Sequence, residues 1–237
     1  MDATRVTSHT LHPLDVIIRI ILTSTFILIT RNQGLQALYQ VCNAHFRSLN
    51  QEDIKFRSKR ILNTLTSWMA PRLEELTSIC SSLMPSNSLT LHALIACNLV
   101  NIDICKPLMS LLDFESPDCV STSVSKVPAH SKFVIPGDPY EGLLKYYLVL
   151  KGADQAHIVH SATSHVMSSG SSLINDASLP LPVYNPSDVD LIVLCLEIAK
   201  PFEGFDEMVN VIAIQCIASS SEIQQKCSEA LISKVNE

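Results

Sequence analysis

The stretch from Ser187 to Ile217 constrains the fold most, because it contains two long apolar runs separated by a short polar break. Pro201 lies in that break, and a proline lacks the backbone N–H that a helix needs and disfavours helical geometry in the residue before it. On a helix, Asp190, Glu197 and Lys200 would form one narrow polar stripe, which leaves the other faces apolar. The stretch therefore predicts a helical hairpin that neighbouring hairpins must cover.

Further hairpins of the same kind are predicted along the chain. Apolar segments begin near residues 14, 51 and 88, about 37 residues apart, which is close to the period of two-helix repeats. Asn50 is a good helix cap, and Asp138-Pro139 is typical of the first residues of a helix. We predict an all-α solenoid of the HEAT/ARM type, with about five helical hairpins and a final helix.

Two polar segments interrupt the regular spacing of the predicted hairpins. Residues 115–137 and 168–186 are predicted to be loops, and the first is long enough to suggest a domain junction. The predicted organisation is an N-terminal helical-repeat part over 1–114, a loop or linker over 115–137, and a C-terminal helical-repeat part over 138–237.

An α/β fold is the alternative, because both apolar runs near the C-terminus are rich in β-branched residues. It would place strands near 191–196 and 209–214. The single polar stripe favours helices, and so does the absence of a glycine-rich turn after either run. Six glycines and 5% aromatic residues also argue against sandwiches and barrels, which need tight turns.

Charge is distributed unevenly along the chain. Residues 1–72 contain nine Lys and Arg against four Asp and Glu, whereas the remainder contains eight against nineteen. This asymmetry indicates two surfaces with different partners.

Cysteine usage indicates a reducing compartment. No two of the eight cysteines show C-x-x-C spacing, and most lie among aliphatic residues, so we expect free thiols. The protein is accordingly expected to be intracellular, in the cytoplasm or the nucleus. The eight are Cys42, Cys80, Cys97, Cys105, Cys119, Cys195, Cys216 and Cys227.

Candidate metal ligands are few. Cys42 and His45 have the spacing of half a zinc site, but no second pair follows at finger spacing. His157 and His160 would be neighbours on a helix, with His165 more than one turn away, and the set lacks further carboxylates. G-x-S-x-G, phosphate-loop and dinucleotide motifs are absent. We predict no metal, no cofactor and no enzymatic activity.

The sharpest polar feature is a run of four cations in six residues: Lys55, Arg57, Lys59 and Arg60. On a helix with Ile54 and Ser58 on its buried side, these cations would flank the apolar stripe. Such a face is suited to an acidic protein surface or to phosphates. We therefore take these four residues as candidate partner-binding residues.

The segment from Arg57 to Thr66 resembles the basic helix of MIF4G domains, which are HEAT-like modules of translation and mRNA-decay scaffold proteins. The stretch from Leu94 to Leu112 is more loosely similar to hairpins of such scaffolds, including the CCR4-NOT backbone protein. The resemblance covers residues 54–112 at most. It implies docking of a helicase or adaptor protein, with the four cations as contacts.

The function predicted from these features is a non-enzymatic protein–protein interaction scaffold, as a subunit or fragment of a larger regulatory assembly. One alternative is a module that binds RNA or ribonucleoprotein through the basic helix over 55–60. The other is a helical protein anchored in a membrane through residues 14–30, although Arg19 interrupts that apolar run.

Overall fold

Two antiparallel sheets form the centre of the protein in a computed structural model. The structure describes residues 32–83, 90–94, 119–152, 155–160 and 163–218. Within these ranges there are four α-helices, and a short 3-10 helix, Ala70–Arg72, separates the second from the third. The helices are α1 (Asn32–Arg47), α2 (Gln51–Met69), α3 (Leu73–Leu83) and α4 (Phe205–Ala218).

The strands are not arranged in chain order. Sheet A has the order β1-β2-β9-β4-β7 and sheet B the order β3-β8-β5-β6, with antiparallel pairing throughout. The strands are β1 (Thr90–Leu94), β2 (Cys119–Val127), β3 (Ser131–Ile135), β4 (Leu143–Lys151), β5 (His157–His160), β6 (Thr163–Val166), β7 (Ser172–Asp176), β8 (Leu181–Asn185) and β9 (Leu191–Ala199).

Sheet A is buried on both faces. One face packs against α2 and α3, where Leu65, Met69 and Leu76 meet side chains such as Leu148 and Leu194. The opposite face packs against sheet B and forms a second cluster around Tyr147, Val193, Ile158 and Val183. Because both faces of β4 and β9 are covered, almost every residue along these two strands is apolar.

Helices α1 and α4 close one end of the sheets. Phe46 of α1 stacks on Phe202 with ring centroids 4.5 Å apart, and Val209 of α4 belongs to the same cluster. Tyr140 lies fully buried at its centre and donates a hydrogen bond of 2.5 Å to Asn210 Oδ1. Helices of the N-terminal half and elements of the C-terminal half therefore pack together in shared apolar clusters.

The all-α solenoid predicted from the sequence is wrong, because the described residues contain nine strands in two sheets. The prediction relied on uninterrupted apolar runs, and such runs cannot distinguish a buried helix from a strand covered on both sides. Residues 191–199 form the central strand β9, as the α/β alternative proposed, whereas 209–214 lie in helix α4. The low glycine content did not exclude a sheet sandwich.

Two predicted helix starts are turns that lead into strands. Asp138 Oδ1 accepts a hydrogen bond from the Tyr140 N–H at 2.7 Å, and strand β4 follows. Asp190 Oδ1 accepts from the Ala129 N–H at 3.0 Å, which lowers the pKa of Asp190 below its ordinary value. Asp138 therefore caps a turn and not a helix, and Asp190 links its own segment to the turn between β2 and β3.

The segments predicted to be loops also contain strands. Residues 115–137 include β2 and β3, and residues 168–186 include β7 and β8. Strand β2 is rich in Ser and Thr, at buried positions such as Thr122 as well as half-buried ones such as Ser123, and this gave the segment the composition of a loop.

All four described α-helices agree with helices predicted from the sequence. Asn50 caps α2 as predicted, since its side chain accepts from the Glu52 N–H at 3.1 Å. The helix predicted over 89–100 is wrong where the structure describes it, because residues 90–94 form strand β1. The proposed membrane segment 14–30, the helix predicted over 104–112 and the final helix after 219 lie outside the described residues. Among the helices that are described, none is long and apolar enough to cross a membrane.

Candidate functional site

Helix α2 presents its cations on two flanks of its buried stripe. Ile54, Ser58 and Leu65 lie on the face that packs against the sheets, while Lys55 and Lys59 are exposed on one side. The Ser58 hydroxyl donates to the Ile54 carbonyl at 2.7 Å, so a small polar residue fits into this packed face without an unpaired donor.

Arg57 lies on the other flank and anchors the helix. Its guanidinium donates to the Pro201 carbonyl at 3.1 Å and pairs with Glu203 Oε2 at 3.0 Å. These bonds connect α2 to the segment between β9 and α4. Arg60 is exposed and does not border the same cavity as Lys55 and Lys59. The four predicted cations therefore have different environments. Arg57 supports the fold, Lys55 and Lys59 border a common groove, and Arg60 is exposed away from it.

That groove lies between α2 and strand β7, and its volume is about 710 Å³. This volume falls within the usual range for ligand-binding clefts. We call it the α2–β7 groove. The helix supplies Gln51, Glu52, Ile54, Lys55, Phe56, Ser58, Lys59 and Leu62. The sheet side supplies Leu144, Ile174, Asn175, Asp176 and Lys200.

Most of the surface that lines the groove is apolar, and two of its three cations, Lys55 and Lys59, lie on the helix. Phe56 is 66% exposed, so a large apolar ring faces solvent at the groove. Within the described residues, Lys55 and Lys59 form no ion pair. An exposed aromatic ring on the same wall as two ammonium groups without ion pairs can contact a partner that is both apolar and acidic.

The sheet side of the groove contains a buried ion pair. Lys200 Nζ donates to Asp176 Oδ2 at 2.6 Å, and the Lys200 side chain is 7% exposed. Because Lys200 directly follows β9 and Asp176 ends β7, this pair joins two strands that are not neighbours in the sheet. It neutralises the Asp176 carboxylate, so the groove does not repel an anion at this wall.

A row of polar side chains crosses the inner face of sheet A next to the groove. The register aligns Asn175, Lys145, Glu197 and Ser121 on four adjacent strands. Ser121 Oγ donates to Glu197 Oε2 at 2.5 Å, and Lys145 Nζ lies 3.6 Å from Glu197 Oε1. Asn175 Oδ1 accepts no hydrogen bond from any described residue. Sequence analysis could not find this row, because only the pairing register brings its members together.

A second, smaller cavity of about 290 Å³ lies at the opposite side of β7. It is bordered by Tyr147, His165, Ser171 and Leu173, among others. Burial raises the pKa of the Tyr147 phenol, and burial likewise raises the pKa of the Cys195 thiol to about 12. Both groups are therefore protonated at neutral pH and are poor nucleophiles.

The histidines considered as metal ligands do not form a helical pair. His157 and His165 lie on β5 and β6, where His157 pairs with Val166 and His165 pairs with Ile158. Since neighbouring residues of a strand face opposite sides, the two rings point to different faces of sheet B. His157 stacks on Tyr184 with centroids 5.1 Å apart.

Cys42 and His45 lie in different environments and do not form half of a zinc site. Cys42 is fully buried in the α1–α4 cluster, and burial raises the pKa of its thiol to about 12. His45 pairs with Asp206 of α4 at 2.8 Å. Across the described ranges, no three His, Cys, Asp or Glu side chains are grouped as a metal site would require.

Comparison with known proteins identifies no family. No protein-family model matches the chain, and no curated protein matches it. Among solved structures, a Cupin_2 domain of an XRE family transcriptional regulator from Enterobacter cloacae aligns with 46% of this chain and 96% of its own, at 9% identity and a TM-score of 0.33.

Two further solved structures align similarly. TT1209 from Thermus thermophilus aligns with 51% of this chain and 94% of its own, at 15% identity and a TM-score of 0.33. A cupin protein from Bacteroides fragilis aligns with 51% of this chain and 86% of its own, at 15% identity and a TM-score of 0.32. These TM-scores lie below 0.5, and no function is transferred from them. The predicted resemblance to MIF4G and HEAT scaffolds is wrong, because the described residues form two antiparallel sheets and residues 90–94, inside the matched segment, form strand β1.

Proposed function

We propose that this protein is a non-enzymatic binding module that docks an acidic protein partner in the α2–β7 groove. The observation that carries the proposal is the placement of Lys55 and Lys59 along one wall of an apolar groove, with neither ammonium engaged in an ion pair within the described residues. Acidic partners gain affinity and association rate from such groups.

The arrangement of the wall supports a protein partner. Phe56 and Ile54 offer apolar contact surface beside the two cations, and aromatic residues of this kind are frequent at the centres of protein interfaces. The Asp176–Lys200 pair leaves the sheet wall without an uncompensated carboxylate. Glu52 also borders the groove and lies in the first turn of α2, where the positive end of the helix dipole offsets its charge.

Binding of a fluorescent glutamate-rich peptide to the full chain tests the proposal. Lys55→Glu with Lys59→Glu should weaken peptide binding by about tenfold or more, because two favourable charges become repulsive. The matched control is Lys132→Glu with Lys151→Glu, which makes the same change in net charge at exposed positions outside the groove. The control variant should bind the peptide like the parent protein.

Two results would contradict this function. Equal weakening by both double variants would indicate non-specific attraction. Binding of an unstructured RNA oligonucleotide in preference to the peptide, with a steep dependence on salt, would instead favour the nucleic-acid alternative. Melting temperatures should stay close to the parent value in all variants, since exposed charges contribute little to stability.

A further inference from the structure

Strand β7 borders the groove with its edge and not with one of its faces. Ile174, Asn175 and Asp176 are consecutive residues, and side chains of consecutive strand residues point to opposite faces. All three nevertheless border the groove. The groove therefore contacts the backbone edge of β7. In the order of sheet A, β7 is the outermost described strand on that side.

The pairing register shows which backbone groups point outward from this edge. The Ala177 N–H donates to the Leu143 carbonyl at 3.1 Å, and the Val149 N–H donates to the Ser171 carbonyl at 2.9 Å. In an antiparallel pair the hydrogen-bonded positions alternate, so Asn175 and Leu173 also bond to β4. The residue between them, Ile174, directs its N–H and C=O away from β4.

Ile174 has no partner for these backbone groups within the described residues. An unpaired edge N–H and C=O beside a groove are the groups that an added strand uses. The five residues of β7 span about 17 Å, which matches an extended segment of about five residues.

We propose that the partner of this groove is an extended acidic segment that adds to sheet A as a strand beside β7. The inference rests on the proposed function and specifies the conformation of the partner. Backbone hydrogen bonds to Ile174 would hold the segment, and its alternate side chains would divide between two environments. The carboxylates on the face toward α2 would reach Lys55 and Lys59, beside the apolar surface of Ile54 and Leu62, and the alternate side chains would face away from the helix.

Synthetic peptides of nine residues with alternating glutamate and valine are the probes. In an extended peptide all valine amides point to one side and all glutamate amides to the other. Methylating the nitrogen of every valine, or of every glutamate, therefore removes the donors on one side only. Strand addition predicts that one methylated peptide loses about tenfold or more in affinity while the other binds like the parent peptide.

Equal binding of the two methylated peptides, whether strong or weak, would overturn strand addition. In that case the proposed acidic docking would still stand if Lys55→Glu with Lys59→Glu weakens the unmethylated peptide. Failure of the proposed acidic docking would give a different result. The Lys55→Glu, Lys59→Glu variant would then bind every peptide as tightly as the parent protein does. A lysine–valine peptide of the same length controls for simple hydrophobic binding.

A second measurement examines the protein side of the contact. The Ile174 amide should exchange its hydrogen rapidly in the free chain and become protected when the glutamate–valine peptide binds. Ile174→Pro removes this donor at an edge position that tolerates proline, and Ile174→Val is the matched control. The proline variant should lose peptide binding and the valine variant should keep it. Unchanged exchange at Ile174 in the complex would overturn the inference even if the proline variant does not fold.

Discussion

At the residue scale, the buried polar contacts of the α1–α4 end have clear partners. The Tyr140 hydroxyl donates to Asn210 Oδ1, and Asn210 Nδ2 donates to the Gly142 carbonyl at 3.0 Å. Asn210 is 1% exposed, so water cannot replace a lost bond. Burial also raises the pKa of the Tyr140 phenol, so the phenol stays protonated and remains a hydrogen-bond donor at neutral pH.

Replacing Tyr140 with phenylalanine should therefore lower the free energy of unfolding by about 1–3 kcal/mol, since it leaves a buried acceptor unpaired. Tyr184→Phe is the comparison, because Tyr184 is only half-buried on sheet B. Urea denaturation of the two variants measures the difference. A Tyr140→Phe variant as stable as the Tyr184→Phe variant would show that the bond to Asn210 contributes nothing net.

Residue-level reasoning from the sequence located part of the candidate site. Helical spacing placed Lys55 and Lys59 on one flank and Arg57 on the other, and α2 has that arrangement. It could not separate their roles, because the Arg57 contact at Pro201 joins positions far apart in the chain. The second wall of the groove was missed since residues 174–176 had the composition of a loop.

At the scale of elements, α2 is the helix that positions the groove, and its N-terminus is capped by Asn50. The Asn50 side chain accepts from the Glu52 N–H and donates to Asp53 Oδ2 at 2.8 Å. The two acidic residues of this first turn also interact favourably with the helix dipole. The start of α2 was predictable because the signal is local.

Asn50→Ala should destabilise the protein by about 1 kcal/mol through loss of this cap. Asn63→Ala on the exposed side of the same helix is the matched control, and it should be neutral or slightly stabilising because alanine favours helix. Thermal unfolding followed by circular dichroism compares the two. If both variants melt at the same temperature, the capping contact has no energetic role.

Strands β4 and β9 show why the remaining elements could not be predicted from local signals. Glu197 lies on the inner face of sheet A opposite Lys145, whereas Asp190 precedes the strand and Lys200 follows it. The same three polar residues, Asp190, Glu197 and Lys200, fit a helical stripe by their spacing alone. Burial on both faces removed the alternation that identifies a strand.

At the scale of the whole molecule, the reactivity of the buried thiols shows whether the apolar clusters stay packed. Burial raises the pKa of Cys42, Cys80 and Cys195 to about 12, one in each of the three apolar clusters. Thiolates are the reactive species, so all three should be inert in the folded protein.

Titration with a thiol reagent should therefore count all eight cysteines only after denaturation, with Cys42, Cys80 and Cys195 unmodified in the native state. Mass spectrometry of peptides from the native and denatured samples assigns each modified position. Rapid native modification of Cys195 would mean that the two sheets separate in solution. A titre below eight in denaturant would reveal a disulfide.

The strand order of sheet A has a consequence for how the chain acquires its structure during synthesis. Strand β9 is made last among the described strands, yet it lies between β2 and β4. Until residue 199 has been synthesised, β2 and β4 have no strand between them. The face of sheet A against which the apolar stripe of α2 packs is then incomplete. Pairings between distant parts of a chain form slowly. A nascent chain that ends between residues 151 and 191 therefore carries β2 and β4 without the strand that separates them, and the apolar residues that β9 covers stay exposed over that interval.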